Sequence, residues 1–343
     1  MATRTTELAA VPAAPLRALL RDAAGATSEP SPAELPAALE RANGGGAMLW
    51  VDINSNDAGQ RALLGDLFHF HPLAIEDALH ASSRVKVEEY GGQFLIVVLR
   101  TVRFCEETPD DPYDIETINL TMFVGPHYLV TVHDEPAPSV DAVVELVRRN
   151  PDLLTRGPAR LSHMVADNAV DAFFPILDQV DQFIDGLEER VFKRFDQAAL
   201  EEIFRVKRLV LSLRRYLGPQ RDVFSALSNR PSALLPPADQ VYFRDVYDHV
   251  LRLNDSLDTF RDLMSGTMDA YLSQVSNRLA QVTKGLSVVA TISIPFVVIS
   301  GMWGMNVKNI PLADHPHAFW MMLALQLGLG VALVAALKWR RLF

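Results

Sequence analysis

Cation-binding side chains are the feature of this sequence most able to do chemistry. Glu76 and Asp77 are adjacent acids in the stretch HPLAIEDAL, which begins at His71. Asp245 lies in the stretch FRDVYDH, and Asp269 lies in the stretch TMDAY. Carboxylate oxygens are the ligands that Mg²⁺ prefers in proteins. Each acid would fit a solvated helix surface equally well, so these residues permit cation binding without requiring it.

The sequence lacks the motifs of the common enzyme classes. It contains no His-Glu-x-x-His, no Gly-x-Gly-x-x-Gly, no P-loop and no cysteine cluster. Cys105 is the only cysteine, so an internal disulfide is impossible, which fits a reducing compartment. We therefore expect no enzymatic activity.

The charge balance differs along the chain. Residues 284–343 contain five Lys or Arg and one acid, while the residues before them contain 27 Lys or Arg and 41 acids, a net charge of −14. An acidic surface repels the phosphates of nucleic acid, so we expect no nucleic-acid partner. It also gathers cations, although solubility alone would explain the same balance.

Two uncharged apolar runs lie near the C-terminal end of the sequence. Residues 285–303 would extend about 28 Å as a helix, close to a hydrocarbon core of roughly 30 Å. Residues 318–337 form a second run in which Gln326 is the one strongly polar side chain. A membrane helix tolerates Pro295 when its neighbours satisfy the freed carbonyl. A buried hairpin in a soluble protein is the alternative, but two adjacent runs of this length favour two membrane spans.

The basic residues around these runs predict their orientation. Lys284 precedes the first run, and a Lys-Trp-Arg-Arg cluster at 338–341 follows the second. The loop between the runs carries only Lys308 and Asp314 as charged residues. Because basic residues favour the cytoplasmic side, we expect both termini in the cytoplasm and two spans in the plasma membrane.

The sequence pattern divides the chain into four parts. Residues 1–42 are rich in Ala and Pro, and we expect little order at their start. Residues 43–150 mix strand and helix patterns, residues 151–283 are helical, and residues 284–343 form the transmembrane domain. The predicted class is an α+β cytoplasmic domain followed by long helices and a two-helix transmembrane domain. The predicted strands are residues 47–53, 94–104, 115–124 and 128–132, and the predicted helices of the second part are residues 57–68 and 72–79.

One predicted helix is unusually long. Residues 241–303 contain no proline before Pro295, and apolar residues recur along them at helical spacing. A helix of this length, roughly 90 Å, has to pack along other helices or along copies of the same chain. It also continues into the first membrane run without a break.

The outer end of the first run carries the most distinctive motif. Residues 301–306 read Gly-Met-Trp-Gly-Met-Asn, and Ser-Asn-Arg-Leu at 276–279 lies upstream on the long helix. Together with HPLAIEDAL and FRDVYDH, these stretches resemble the CorA family of metal-ion transporters, which includes the zinc-transporting ZntB proteins. The resemblance covers the chain from about residue 47. It implies a funnel-shaped homopentamer in a lipid bilayer, with the first spans around a central pore.

The resemblance implies channel-like uptake of Mg²⁺, and of Co²⁺ or Ni²⁺, through that pore. Gly304, Met305 and Asn306 would form a selectivity filter that offers carbonyl and amide oxygens to a hydrated ion. The absence of carboxylates from the spans suits Mg²⁺, which dehydrates reluctantly. The pore-lining positions would be Thr283, Leu286, Ala290, Ile294, Val297 and Gly301. They share one helix face, a pattern that helix packing alone would also produce. By the same resemblance, Leu286 and Ile294 would be hydrophobic constrictions.

The resemblance also implies regulation by Mg²⁺. Asp269 would pair across a subunit boundary with Asp77, with Glu76 beside it, and Asp245 would serve a second site. Carboxylates brought together repel one another until a divalent cation lies between them. Bound Mg²⁺ would therefore hold the pore closed, and its loss would let the subunits move.

The outer loop departs from the magnesium-transporting members, which carry Met-Pro-Glu soon after the Gly-Met-Asn triplet. Here the glutamate is missing, and the loop has Lys308, Asp314, His315 and His317. Imidazole suits Zn²⁺ better than Mg²⁺, so a ZntB-type zinc transporter, with or without proton coupling, is the main alternative. The spans contain no carboxylate or histidine to relay protons, which favours passive conduction.

A membrane-anchored sensor that conducts nothing is a second alternative, because it would share the spans and the acids. A sensor would tolerate loss of the Asn306 side chain, whereas a channel would not. His163 and Asp167, four residues apart on a predicted helix, could also hold a metal, although a solvated pair is the simpler interpretation.

Overall fold

The computed structural model describes residues 16–80, 84–105, 113–134, 136–193, 196–305 and 315–339. The chain divides into two units, one of residues 1–187 and 201–265 and one of residues 188–200 and 266–343. The strands are β1 (Arg17–Arg21), β2 (Thr27–Ser28), β3 (Met48–Asn54), β4 (Lys86–Tyr90), β5 (Phe94–Phe104), β6 (Ile115–Val124) and β7 (Tyr128–His133). The helices are α1 (Leu35–Asn43), α2 (Ala58–Asp66), α3 (Pro72–Leu79), α4 (Pro138–Arg149), α5 (Pro158–Asp171), α6 (Phe173–Lys193), α7 (Ala198–Asn229), α8 (Pro237–Trp303) and α9 (Ala318–Trp339).

A mixed sheet forms the centre of the first unit. Among the described residues, seven strands pair in the order β2-β1-β3-β7-β6-β5-β4. Strands β3 and β7 pair in parallel, and the other neighbours are antiparallel. The turn at Gly125 and Pro126 joins β6 to β7, as the sequence predicts, and the backbone N–H of Gly125 donates to the Tyr128 carbonyl at 2.9 Å. A side chain at Gly125 would overlap the Tyr128 ring, which explains the glycine there.

Helices cover both faces of this sheet. Strand β5 shows this most clearly, because its residues are buried without interruption from Phe94 to Val102. Ile96 and Val98 pack into the apolar core that α1, α2 and α3 complete. On the other side, the Thr101 hydroxyl donates to the Ala169 carbonyl of α5 at 2.9 Å. Burial of both faces requires a nearly continuous apolar strand, and the FLIVVL sequence supplies it.

The sheet begins earlier than the sequence pattern predicts. Strand β1 lies within residues 1–42 yet pairs with β3 along its whole length. Arg17 anchors it there, since its Nε donates to the buried Asp52 carboxylate at 2.9 Å. The boundary predicted at residue 42 therefore moves to the N-terminal side of β1, because this tertiary ion pair and strand pairing override the local composition.

The later helices follow the predicted pattern. A break at Asp196 separates α6 from α7, and α8 is a single helix of 67 residues. Its first residue is Pro237, a position where the missing N–H of proline costs nothing. Among the described helices, α8 and α9 are long and apolar enough to cross a membrane, and the apolar part of α8 lies in the second unit.

Candidate ion path and cation sites

The predicted pore-lining residues lie on an uncovered face of α8. Each of them is exposed, and Leu286, Ile294 and Val297 are 67%, 59% and 70% exposed. The half-buried residues of the same segment follow their own steps of three and four: Val288, Ile292, Pro295, Phe296, Ile299 and Trp303. The Phe296 ring lies against Gly330 of α9, which identifies this second face as the one that α9 covers. The pore row therefore stays available to copies of the chain.

The side chains of this row are uncharged and mostly small or apolar. Residues 285–303 carry no charged side chain, so the row offers no carboxylate, the side chain that binds a divalent cation most strongly. Narrow apolar rings expel water when they close, which blocks ions without binding them. Such a face can gate a hydrated ion, and selection has to come from another part of the chain.

The C-terminal end of α8 leads into the predicted filter. The helix ends at Trp303, and the Gly304 N–H still donates to the Ser300 carbonyl at 3.0 Å. The Met305 N–H donates to the Met302 carbonyl at 3.4 Å, so the chain tightens as it leaves the helix. Asn306, Lys308 and Asp314 lie outside the described residues.

The two outer-loop histidines are described and lie side by side before α9. Their ring centroids are 6.0 Å apart. Nδ1 of His315 accepts the backbone N–H of His317 at 3.2 Å, so the neutral ring of His315 carries its proton on Nε2. Zinc binding by His315 would require that hydrogen bond to break or that proton to leave, which makes this arrangement a poorly prepared zinc site.

A cluster of acids and one histidine lies in the first unit where α5 meets α8. Oδ1 of Asp171 is 3.3 Å from Nδ1 of His249, and Oδ1 of Asp167 is 3.8 Å from the same nitrogen. Asp245 reaches Nε2 of His249 at 4.0 Å. Ligand atoms of Asp167, Asp171 and His249 all lie within 4.8 Å of one another. We call these four residues the α5–α8 acid cluster.

The electrostatics of this cluster favour a cation. Burial raises the pKa of the Asp167 carboxyl above its ordinary value, and the nearby Asp171 and Asp245 carboxylates raise it further, while His249 acts in the opposite direction. Oδ1 of Asp167 is buried and accepts no hydrogen bond from any described residue. A divalent cation would relieve both the repulsion and the missing contact. The carboxylates suit Mg²⁺, and the imidazole suits softer ions such as Co²⁺.

Two of these four residues had no role in the sequence-based prediction. Asp171 and His249 became significant only when α5 and α8 were seen to face each other. The available signal was a pair of four-residue spacings, Asp167 with Asp171 and Asp245 with His249, each on one helix face. His163, whose spacing from Asp167 would allow a metal pair but fits a solvated pair more simply, packs edge-on against Phe243 and beside Tyr242.

The acids of α3 have a different partner. Lys86 of β4 contacts the Asp77 carboxylate at 2.6 Å and the Glu88 carboxylate at 3.0 Å. Burial by itself would lower the pKa of the Lys86 ammonium, but the hydrogen bonds to Asp77 and Glu88 outweigh burial, so the pKa is raised. A cation at Asp77 would therefore compete with Lys86. Glu76 is exposed on α3, and Asp269 is exposed on the α8 segment of the second unit.

Comparisons with known proteins agree with the predicted resemblance. The family model described as CorA-like Mg²⁺ transporter protein matches residues 45–339. The cobalt/magnesium transport protein CorA of Thermotoga maritima is 31% identical over 293 residues, which cover 84% of this chain and 82% of that protein.

Solved structures confirm the predicted fold class. The complete structure of the CorA magnesium transporter from Methanocaldococcus jannaschii matches with a TM-score of 0.82 at 20% identity, over 96% of this chain and 98% of that one. The ZntB cytoplasmic domain from Vibrio parahaemolyticus matches with a TM-score of 0.59 at 13% identity, over 77% of this chain and 100% of that one. Since chains from both branches share the cytoplasmic fold, the fold does not identify the ion.

Proposed function

The chain belongs to the CorA-like Mg²⁺ transporter family, and on that premise we propose that it is a channel for Mg²⁺ uptake that also passes Co²⁺ and Ni²⁺. The observation that carries the proposal is the uncovered, uncharged row on α8, which leads to the Gly-Met-Asn triplet at 304–306. The first spans of several subunits surround the ion path with this row.

Several subunits are needed for physical reasons. Only 6% of the apolar window of α8 is buried in a single chain, and the same holds for α9. Two helices cannot enclose a water-filled path, so conduction requires copies arranged around an axis. A homopentamer is the arrangement that the family resemblance supports, with α9 on the lipid side of α8.

The filter and the apolar row have different roles in conduction: the filter binds the hydrated ion, and the row gates its passage. Gly304, Met305 and Asn306 from each subunit offer carbonyl and amide oxygens at the outer end, where they hydrogen-bond a cation that keeps its water. Leu286 and Ile294 form apolar rings below, which conduct when wide enough to stay wet. This division suits Mg²⁺, since no step requires its first shell of water to be removed.

Cytoplasmic divalent cations close the channel in this proposal. The α5–α8 acid cluster supports a cation site in the first unit, through the orphaned Asp167 oxygen and the nearby Asp245. Asp77, Glu76 and Asp269 are the further acids that we assign to this regulation, across subunit boundaries. A cation that bridges acids stabilises the closed arrangement, and its loss shifts the population towards open states. The imported ion thus limits its own entry.

The orientation follows from the charges. Lys284 and the basic cluster at 338–341 flank the spans on one side, which places both termini and the sheet domain in the cytoplasm of a cell whose plasma membrane holds the protein. The outer loop then faces the ion supply with one acid, Asp314, and one base, Lys308.

Zinc transport is the second candidate function. His315 and His317, with Asp314, favour it because imidazole is a good ligand for Zn²⁺. The hydrogen bond that occupies Nδ1 of His315 counts against it. The spans also lack a titratable relay for protons, so we place this candidate second.

Ion flux into liposomes that contain the purified full-length chain tests the proposal. Mg²⁺ and Zn²⁺ are offered separately, each with and without a pH gradient, and protein-free liposomes give the leak. Mg²⁺ entry down its own gradient, unaffected by the pH gradient, is the expected result. Zn²⁺ entry that requires the pH gradient, with little Mg²⁺ entry, would move the chain to the zinc branch. If folded and inserted protein conducts neither ion, the non-conducting membrane-anchored sensor becomes the favoured function.

A further inference from the structure

Gln326 is a polar side chain in an otherwise apolar membrane helix. Between Met321 and Leu337, α9 contains no other side chain with strong hydrogen-bonding groups. An amide that is left unbonded in hydrocarbon costs free energy, and polar residues within membrane spans usually face a partner or a functional site. The structure supplies a specific partner on the other span.

That partner is Ser300 of α8. Nε2 of Gln326 donates to the Ser300 hydroxyl oxygen at 2.7 Å and lies 3.5 Å from the Phe296 carbonyl oxygen. The Phe296 carbonyl and the Ser300 hydroxyl are one helical turn apart, so the amide lies across the end of a single turn of α8. It is a link between the two spans of one chain.

Close packing holds the amide in place. Gly330 lies one turn after Gln326, on the same face of α9. A Cβ atom built on Gly330 would lie 2.7 Å from Cζ of Phe296, so the glycine lets the ring approach the α9 backbone. Small residues allow such approaches between membrane helices and orient the hydrogen bonds beside them. The pairs Gln326 with Ser300 and Gly330 with Phe296 form one antiparallel contact.

The position of this contact gives it a role in conduction. Ser300 immediately precedes Gly301, the last member of the pore row, and its carbonyl accepts the Gly304 N–H at the start of the filter. We propose that Gln326 is a positioning residue for the ion filter, which it holds through its hydrogen bond to Ser300. This inference rests on the proposed function, and it adds a residue of the second span to the machinery that sets ion affinity and selection.

The size of the effect follows from hydrogen bonds measured between membrane helices. Such bonds contribute a modest amount, which corresponds to about a threefold to tenfold change in an equilibrium or a rate. We expect Gln326→Leu and Ser300→Ala each to raise the Mg²⁺ concentration for half-maximal flux by that factor. Each substitution should also lower the ratio of Mg²⁺ entry to Zn²⁺ entry, because a misplaced filter discriminates less well between the two ions.

A double-mutant cycle on the full-length protein in liposomes tests this role. The variants are Gln326→Leu, Ser300→Ala, both together, and Ser300→Thr, which keeps the hydroxyl. Thr291→Val is the matched control, since the hydrogen bond of the Thr291 hydroxyl within the described part of the chain goes to the Ser287 carbonyl of its own helix. Half-saturation and ion ratio are measured beside thermal stability and the amount of inserted protein, because a purely structural role would move only the latter two.

The inference predicts that the double variant resembles each single one, and that Ser300→Thr and Thr291→Val resemble the parent. Two results would overturn it while leaving the proposed function intact: unchanged half-saturation and ion ratio in both single variants, or fully additive effects. If the folded, inserted parent conducts neither ion, the proposed function fails first, and this inference fails with it.

Discussion

At the scale of single residues, the α5–α8 acid cluster shows what spacing reveals and what it hides. Asp245 was a candidate from its motif, and Asp167 from its distance to His163. The true neighbour of Asp167 is His249, some eighty positions away, and only the packing of α5 against α8 brings them together. A sequence contains each half of such a site as a four-residue spacing, but it does not say which halves meet.

Removal of one carboxylate from this cluster should weaken cation binding. For Asp171→Asn we expect the Kd of the α5–α8 acid cluster for Mg²⁺ to rise about tenfold or more, because a charged ligand is lost. Isothermal titration of the full-length protein in detergent measures this, with Asp222→Asn, an exposed acid on α7, as the control. Equal affinities in the two variants would remove the cluster from the regulatory site.

The same cluster predicts the pH dependence of that binding. The pKa of Asp167 is raised, first by burial and then by Asp171 and Asp245, so this carboxyl takes up a proton at a higher pH than an ordinary aspartate. Protons therefore compete with the cation, and Mg²⁺ affinity should fall as the pH decreases through this raised pKa. Titrations at stepwise lower pH measure the loss. Asp167→Asn should flatten the profile, and an unchanged profile would exclude Asp167 as the titrating group.

His163 makes a second pH-dependent contribution, to stability. Burial, together with the nearby positive charge of Arg160, lowers the pKa of its ring from 6.5 to about 4. The folded state thus keeps His163 neutral while the unfolded state protonates, so stability is retained above the unfolded pKa and is lost as the pH falls below it. By linkage the loss amounts to about 3 kcal/mol between pH 7 and pH 4.

Thermal unfolding of the full-length protein across that range, for the parent and for His163→Phe, measures this contribution. The variant keeps an aromatic ring between Tyr242 and Phe243 and should lose less stability on acidification. Identical pH profiles would show that His163 is not the group responsible.

At the scale of elements, helices and strands were predicted correctly where one local pattern determines the structure. They were missed where tertiary contacts determine it. Helix α8 was predicted from periodicity over sixty positions, and its start shifted by four residues because Pro237 is a favourable first residue. Strand β1 was missed, since its five residues lie in an Ala- and Pro-rich segment and are held by β3 and Asp52. The strands of the sheet centre were found because their apolar runs report burial on both faces.

The pore row predicts the effect of a polar substitution on gating. Leu286→Asn should raise Mg²⁺ flux under closing conditions, since an amide ring stays wet where leucine expels water. A barrier lower by about 1.4 kcal/mol gives about tenfold more flux. Val289→Asn is the control, because Val289 is similarly exposed but lies outside the row. Equal fluxes from the two variants would contradict the assignment of the row to the pore.

Two glycines predict opposite effects on the stability of their elements. Gly125→Val should destabilise the β6–β7 hairpin by about 1–3 kcal/mol, because a Cβ there would overlap the Tyr128 ring. Gly186→Ala on α6 meets open space and should stabilise the helix by roughly 0.5–1 kcal/mol. Thermal unfolding of both variants compares them directly. If Gly125→Val is as stable as the parent, the Tyr128 side chain must be able to move away from position 125.

At the scale of the whole molecule, the presence of two long apolar helices near the C-terminal end was predictable because the composition changes sharply near residue 284. The acidic, mixed α/β part and the uncharged spans follow different rules of burial. The filter asparagine, Asn306, and the outer-loop residues Lys308 and Asp314 lie outside the described residues, so their roles stay predictions.

Oligomeric state is the prediction at this scale. The exposed apolar faces of α8 and α9 need lipid and neighbouring subunits, and the family resemblance supports five. Native mass spectrometry of the protein released from detergent should give five chains per particle. A monomer or dimer, under conditions that preserve flux, would contradict the proposed pore.

The central claim is that cations pass along the α8 row and through the Gly304–Asn306 filter. Mg²⁺ flux into liposomes with equal amounts of inserted parent and Asn306→Ala protein tests it most directly. We predict that the variant loses at least about nine-tenths of the flux, which corresponds to roughly 1.4 kcal/mol or more of lost stabilisation, while its fold and assembly stay the same. Flux equal to that of the parent would contradict the claim, because the filter would then not lie on the path of the ion.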